Sequence, residues 1–422
     1  MGREITVNLL NGPKEERKVG IWSRLKDENK KLWVVAGPAI LARFSIFGII
    51  VVTQAFIGHI GSTELAAFAL TTTVLLRLAM GIVLGMASAL ETLCGQAFGA
   101  GQKHMLGVYL QRSWVVLSAC ALILLPLFIF AVPILRLLGQ ENSIASMAGT
   151  ISLCLIPIIF SFVFYLTFQM YLQAQSKNII IACFAVITLP LHIFLCWLVV
   201  SKLSLGLLGA MSMFALSVWI PNFGLFAFVS CGGCPDTWKG ISLKAFTDLC
   251  PVIRLSLSSG AMICLEFWYN SVLVLLTGHM KDSEISIDAL SICLNINVWE
   301  LMICFGLLAA AGVRVANELG AGSAKGAKFS VIVVAATSLF IGSVLFLMFL
   351  LLRGNIAYFF TKSQDVIAAV DDLSPLLAFS ILLNSIQPVL SGNMGRNADW
   401  HCCSNPRSYL DHLENRLGQT VN

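Results

Sequence analysis

The chain alternates long apolar runs with short polar breaks, and the runs have the length of a bilayer. A helix crosses the hydrocarbon with about 20 apolar residues. Ten runs meet that measure: 33–58, 65–90, 108–135, 146–173, 179–201, 207–230, 249–278, 287–311, 328–352 and 367–391. Pro157 and Pro190 fall inside the fourth and fifth, which membrane helices tolerate where neighbours re-satisfy the backbone. The pattern predicts an all-α polytopic membrane protein.

The pattern also repeats. "ETLCGQAFGAGQKHMLG" starts at Glu91, and "GVRVANELGAGSAKGAK" starts at Gly312. Gly99-Ala100-Gly101 recurs as Gly320-Ala321-Gly322, 221 positions later, and Gly85 recurs as Gly306 at the same offset. Gly58-His59 closes the first run as Gly278-His279 closes the seventh, and Gln169-Met170-Tyr171-Leu172 is echoed by Gln387-Pro388-Val389-Leu390. Six runs separate the copies, so both halves face the same way, related by an axis along the membrane normal. Two such bundles with a cleft between them are a transporter architecture. Glycine at each join allows a left-handed helix end and a tight turn. No Lys-Ser/Thr pair follows either join, so neither is a nucleotide loop, and transport is expected to run on a gradient.

Charge adds orientation. Only 12% of residues are charged, against 58% hydrophobic, where a soluble domain carries about 25% charged. With the N-terminus cytoplasmic, that side holds Lys14, Arg17, Lys18, Arg24, Lys26, Lys30, Lys31, Lys103, Arg112, Lys177, Lys239, Lys244, Arg314, Lys325 and Lys328. The other side holds Arg136, Lys202, Lys281, Arg353 and Lys362. The bias fixes an N-in topology and accounts for the net charge of +5 without nucleic acid. No signal peptide is read at the start. The 13 cysteines read as small buried hydrophobes. Cys231 and Cys234 are spaced as a redox pair but lack its α/β context.

The expected organisation is a polar cytoplasmic segment 1–32, an N-lobe of six spans over 33–230, a linker 231–246, a C-lobe of four spans over 247–392 and a polar tail 393–422. By its own symmetry the chain lacks the last two spans of twelve.

"ALETLCGQAFGAGQ", "YLQRSW", "VRVANELGAG" and "IQPVLSG" together resemble the plant branch of the multidrug and toxic compound extrusion (MATE) transporters, over about 33–392. The resemblance implies a two-lobe MATE-type bundle, here 6 + 4 helices, and efflux of small organic compounds by antiport. The driving cation is a proton in preference to sodium, and there is no cofactor and no enzyme activity. Flavonoids and other secondary metabolites, organic acids, alkaloids and xenobiotics are the family's substrates. The membrane is vacuolar or plasma membrane. The resemblance stops after Ser391-Gly392. A one-base shift of frame across Gly392–Leu410 permits an apolar run like the family's last helix, so a skipped exon is the expectation for the tail. Two alternatives accompany this reading. One is a passive anion pathway on the same fold, drawn by Arg77 or Arg43. The other is a non-transporting form that is degraded or regulates a full-length copy.

Ionisable groups inside a membrane mark function. Glu266, among Leu265, Phe267 and Trp268, is placed to exchange a proton near neutral pH, and it matches the family's proposed proton site. Asn270 lies one turn on. Asn295, Asn297, Asn384 and Gln54 are candidates for the substrate cleft, though interhelical hydrogen bonding is their plainer use. Asn384 stands where some relatives carry aspartate, and an amide cannot titrate. Glu91 is expected near the cytoplasmic interface as a gate or structural charge, with Arg112 or Arg314 as partner. Arg77, in mid-span, meets an anionic substrate or pairs with Glu300. Arg43 is expected to snorkel, and His192 to be a satisfied core histidine.

Overall fold

A computed structural model describes residues 21–257, 260, 283–356 and 364–402, with side chains for 22–257, 260, 292–293, 296–352, 364 and 367–385. The described residues are helices and short connections, with no strand among them. The main elements are α1 (Ile21–Gly58), α2 (Ser62–Gly99), α3 (His104–Ile129), α4 (Ala131–Leu137) and α5 (Asn142–Ala174). They continue with α6 (Asn178–Lys202), α7 (Gly206–Gly233), α8 (Ser283–Gly320), α9 (Ala324–Ile356) and α10 (Gln364–Cys402). Among the described residues, nine helices are long and apolar enough to cross a membrane. The expected seventh run, 249–278, is helical over 249–257 and otherwise lies almost wholly outside the described residues.

The helices run longer than hydropathy alone predicts. Of the expected polar segment 1–32, residues 21–32 are already the first turns of α1, whose Glu28 and Leu32 lie on one buried face. At the other end, α10 continues to Cys402, past the point where the resemblance stops. The expected run 108–135 divides at Phe130, where φ −96° and ψ 25° leave the helical region ahead of Pro133. In α2, Thr71–Leu76 forms a widened turn. There the Thr71 and Thr72 hydroxyls donate to the carbonyls of Ala67 and Phe68 at 2.6 and 2.7 Å, a back-bonding that disturbs the helix ladder.

In the N-lobe, α5 is the central helix, packed on α2, α3 and α7. Leu155, Val163, Tyr171 and Leu172 of α5 are fully enclosed, and one continuous core runs through all six spans. In the C-lobe, α8, α9 and α10 pack on one another, with Ile292, Ile296, Val370 and Ile381 inside.

The halves meet where α1 and α2 lie against α8. At this seam, Leu32, Val35 and Ala36 bury against Leu307, Ala310 and Val313. Phe44 and Phe47 flank Trp299, with centroids 5.5 and 5.0 Å away. The repeated glycines explain why the backbones come so close. A methyl group added at Gly99 would overlap the Asn317 carbonyl oxygen, and one at Gly320 would overlap that of Gln96. Gln96 and Asn317 are themselves 221 positions apart (317 − 96). The two contacts are one contact generated twice, around the axis that relates the halves. Gly95 against Ala316 and Gly306 against Ile40 leave equally little room. The duplicated join is thus an isologous helix crossing that closes the basic face of the molecule. Arg314 reinforces it, forking onto Glu28 of α1 at 2.8 and 3.0 Å.

Candidate functional site

The C-lobe holds a buried polar cluster within the apolar span Ile296–Gly320. Glu300 lies on α8, 14 residues from Arg314, or about 21 Å along the helix. Asn297 at i−3 and Cys304 at i+4 share its face. From Cys304, Sγ donates to Glu300 Oε1 at 2.6 Å, and Ser385 Oγ of α10 reaches the same oxygen at 3.4 Å. The Asn384 amide donates to Asn297 Oδ1 at 2.9 Å and stands near the Glu300 carboxyl. Ser338 of α9 donates to the Ser385 carbonyl, and Gly342 lets α9 approach Ser385 that closely. Two helices therefore supply donors to one carboxyl that is 3% exposed, and the third braces one of them. Its second oxygen, Oε2, has no hydrogen-bond partner, and Glu300 makes no ion pair among the described residues.

A second cluster sits in the N-lobe. Arg43 of α1 is within electrostatic reach of Glu91 of α2 and Tyr165 of α5. Its guanidinium carbon lies 5.6 Å from the ring centre of Phe305 on α8. Arg43 thus joins the halves, since its charge belongs to one lobe and the aromatic face to the other. Beyond it, His192 bridges Thr53 at 3.0 Å and Ser217 at 2.8 Å, tying α1, α6 and α7 together. That is the satisfied core histidine expected from the sequence.

Several expectations need correction. Glu91 is buried in the protein, eight residues before the end of α2. Its charge partner is Arg43, and neither Arg112 nor Arg314 takes that role. Arg112 pairs with Asp248 at 3.6 Å, and Arg314 with Glu28 and Glu318. Arg43 does not snorkel, since α8 covers it. Arg77, half-buried just after the widened turn of α2, does not meet Glu300, whose contacts are Cys304, Ser385 and Asn384. Gln54 is exposed on α1 and joins neither cluster. Glu266, Asn270 and the side chain of Asn295 lie outside the described residues.

Of the amides singled out in the sequence, Asn297 and Asn384 do meet, and they do so around Glu300. Sequence reasoning missed Cys304, Ser385, Tyr165 and Glu28. Helical spacing from Glu300 points to Cys304. Nothing in the sequence pairs Tyr165 with Arg43.

A duplicated bundle of membrane-spanning helices with buried polar clusters in both halves defines a transporter fold. Comparison with known proteins agrees. The MatE family profile matches residues 38–198 and 259–397. "Protein DETOXIFICATION 21" of Arabidopsis thaliana is 57% identical over 396 residues, covering 93% of this chain and 80% of that protein. "Protein DETOXIFICATION 22" of the same plant is 56% identical over 396 residues, with the same coverage. The crystal structure of the eukaryotic MATE transporter AtDTX14 superposes with a TM-score of 0.81 at 33% identity, covering 87% of this chain and 82% of that one. A MOP superfamily transporter from Pyrococcus furiosus shares the fold, with a TM-score of 0.72 at 16% identity over 86% of this chain and 84% of that one. The chain belongs to the MatE family of multi-pass membrane transporters.

Proposed function

We propose that this chain is a proton-driven antiporter exporting small organic compounds, with the N-terminus on the cytoplasmic side. The observation that carries this reading is Glu300. It is a buried carboxyl on a membrane-spanning helix, fixed by donors from two helices, and it makes no ion pair among the described residues. Uptake of a proton there removes a buried charge, a large local change in energy for a small change in composition. Glu266 is the second candidate carrier, on the strength of its motif.

α8 gives this change a route to the rest of the molecule. Glu300 and its partners occupy one part of the helix. Trp299, Phe305, Gly306, Arg314 and Gly320 of the same helix form the seam with the N-lobe. When Asn384 and Ser385 lose their ionised partner, α10 and α8 repack, and the seam on the basic face is released. The lobes then rock to expose the cleft to the other side. Proton and substrate favour opposite arrangements, so each drives the other.

A passive anion pathway finds less support. The Arg43 charge that would attract an anion already faces Glu91 and Tyr165. The organic substrate class rests on the relatives' names, which speak of detoxification. The membrane of residence, vacuolar or plasma, is left to localisation of the tagged chain.

The test is purified chain in proteoliposomes, with ethidium as probe and an entrapped pH dye. Ethidium movement should run against proton movement and stop when an ionophore dissipates the pH gradient. In Glu300→Gln the two fluxes should uncouple. Coupled flux retained in that variant overturns the role of Glu300, and voltage-driven current with no proton flux favours the anion pathway.

A further inference from the structure

The connection between the lobes, 234–248, carries side chains that make no sense in water. Ile241 is 84% exposed, Leu243 85% and Phe246 65%. Three large apolar groups within six residues form a patch, and patches of that kind mark an interaction surface.

The backbone beneath them is firmly held. Gln111 of α3 donates to the Gly240 carbonyl at 2.9 Å and accepts from the Ser242 amide at 2.8 Å. Arg112 donates to the Lys244 carbonyl at 3.2 Å and pairs with Asp248 at 3.6 Å. Both of these α3 side chains are buried. Leu243–Phe246 is a single tight turn capped by the Ser242 hydroxyl. The connection is therefore a strap pinned along α3, with its apolar side chains turned outward.

Its depth can be read from α3. That helix spans His104–Ile129, 26 residues, whereas the hydrocarbon needs only about 20. Counting about 20 residues back from Ile129 reaches Leu110, so Gln111 and Arg112 stand at the boundary between hydrocarbon and headgroups. Trp238 of the strap packs on Trp114 of α3, with centroids 6.0 Å apart, and tryptophan is enriched at that level. Further along the same helix, Leu122 and Ile123 are exposed as well. Lys239 precedes the patch and Lys244 lies within it, and neither makes an ion pair among the described residues.

We infer that the strap is a membrane-interface anchor. Ile241, Leu243 and Phe246 enter the boundary of the leaflet on the basic face of the protein, and Lys239 and Lys244 bind anionic phospholipid headgroups there. An apolar face with basic flanks is what such a surface selects. The strap fixes the N-lobe at the interface, so that rocking is carried by the C-lobe. Transport is then tuned by the anionic lipid content of that leaflet.

The test places photo-reactive benzoylphenylalanine at the position of Leu243, and separately of Phe246, in the full chain. Each is reconstituted in vesicles of phosphatidylcholine with or without phosphatidylserine. The position of Ile123 serves as the lipid-facing control and that of Asp236 as the polar control. Cross-linking to phospholipid should match the Ile123 control and rise with phosphatidylserine. In Lys239→Glu/Lys244→Glu that rise should be lost, by about fivefold for each lysine. If that variant does not fold, high salt applied to the parent chain should remove the same rise. Cross-links to polypeptide, or to no lipid at either position, overturn the anchor. Equal yields with and without phosphatidylserine overturn the lysines' role.

Discussion

Arg314 and Glu28 meet across the seam as a fork, Nε to Oε1 at 2.8 Å and Nη2 to Oε2 at 3.0 Å. Ser330 adds a third donor to Glu28 at 2.6 Å, and Glu318 takes the remaining face of Arg314 at 2.7 Å. Helices α1, α8 and α9 are joined by this single network. A charge-assisted hydrogen bond contributes about 1.5–3 kcal/mol. Glu28→Gln or Arg314→Gln should each lower the midpoint of thermal unfolding in detergent. The double variant should cost less than the sum of the two, because neither charge is then left alone. Additive losses would show that the fork does not couple the halves.

The glycine crossing makes a sharper forecast. Gly320→Ala places a methyl group on the Gln96 carbonyl, an overpacking that costs about 1–3 kcal/mol. Gly322→Ala has open space around it but a φ of +76°, which costs about 1–2 kcal/mol in local strain. Both variants lose stability, but only the first opens the seam. Amide exchange should quicken at 96–99 and 317–320 in Gly320→Ala and stay unchanged there in Gly322→Ala. Gly99→Ala should copy Gly320→Ala, as its symmetry partner. A clear difference between those two would end the isologous reading.

Arg43 and Glu91, within electrostatic reach of each other, are expected to be structural. Arg43→Met takes this cation away from the buried Glu91 and should lower the midpoint of thermal unfolding. Glu91→Gln combined with Arg43→Met should restore most of the loss. Phe305→Leu should cost less, about 0.5–2 kcal/mol. Thermal unfolding in detergent reads all three, and a double variant no better than Arg43→Met would dissociate the two charges.

Around Glu300 the donors can be separated by conservative changes. Cys304→Ser keeps a donor and should keep proton-coupled flux. Cys304→Val removes the donor and should weaken coupling. Glu300→Gln should reduce flux driven by a pH gradient about tenfold or more, the effect of some 1.4 kcal/mol on the barrier. Exchange at equal pH should persist in all three, and its loss would point to misfolding rather than to coupling.

The duplication was legible before any coordinates, because Gly99-Ala100-Gly101 and Gly320-Ala321-Gly322 need no structure to be seen. What those glycines do was not. They read as local turns, but Gly99 and Gly320 are spacers for the opposite half. Hydropathy placed the spans and misjudged their ends. It averages over residues, whereas a helix continues until a breaker stops it. That error ended the second span at Leu90, whereas α2 runs on to Gly99 and Glu91 is buried within the protein. Charges were easy to list and hard to pair. Arg314 finds Glu28, 286 residues away, and no local pattern encodes such a distance. Asn297, Glu300 and Asn384 were each noticed singly. Only the packing of α8 on α10 made them one site.

The central claim is that a proton gradient drives solute across the seam between the halves. Its most direct measurement is ethidium transport in proteoliposomes under an imposed pH gradient, with proton flux recorded in the same vesicles. The account predicts opposed fluxes that vanish together when the gradient is dissipated. Ethidium flux that continues unchanged without the gradient would contradict it.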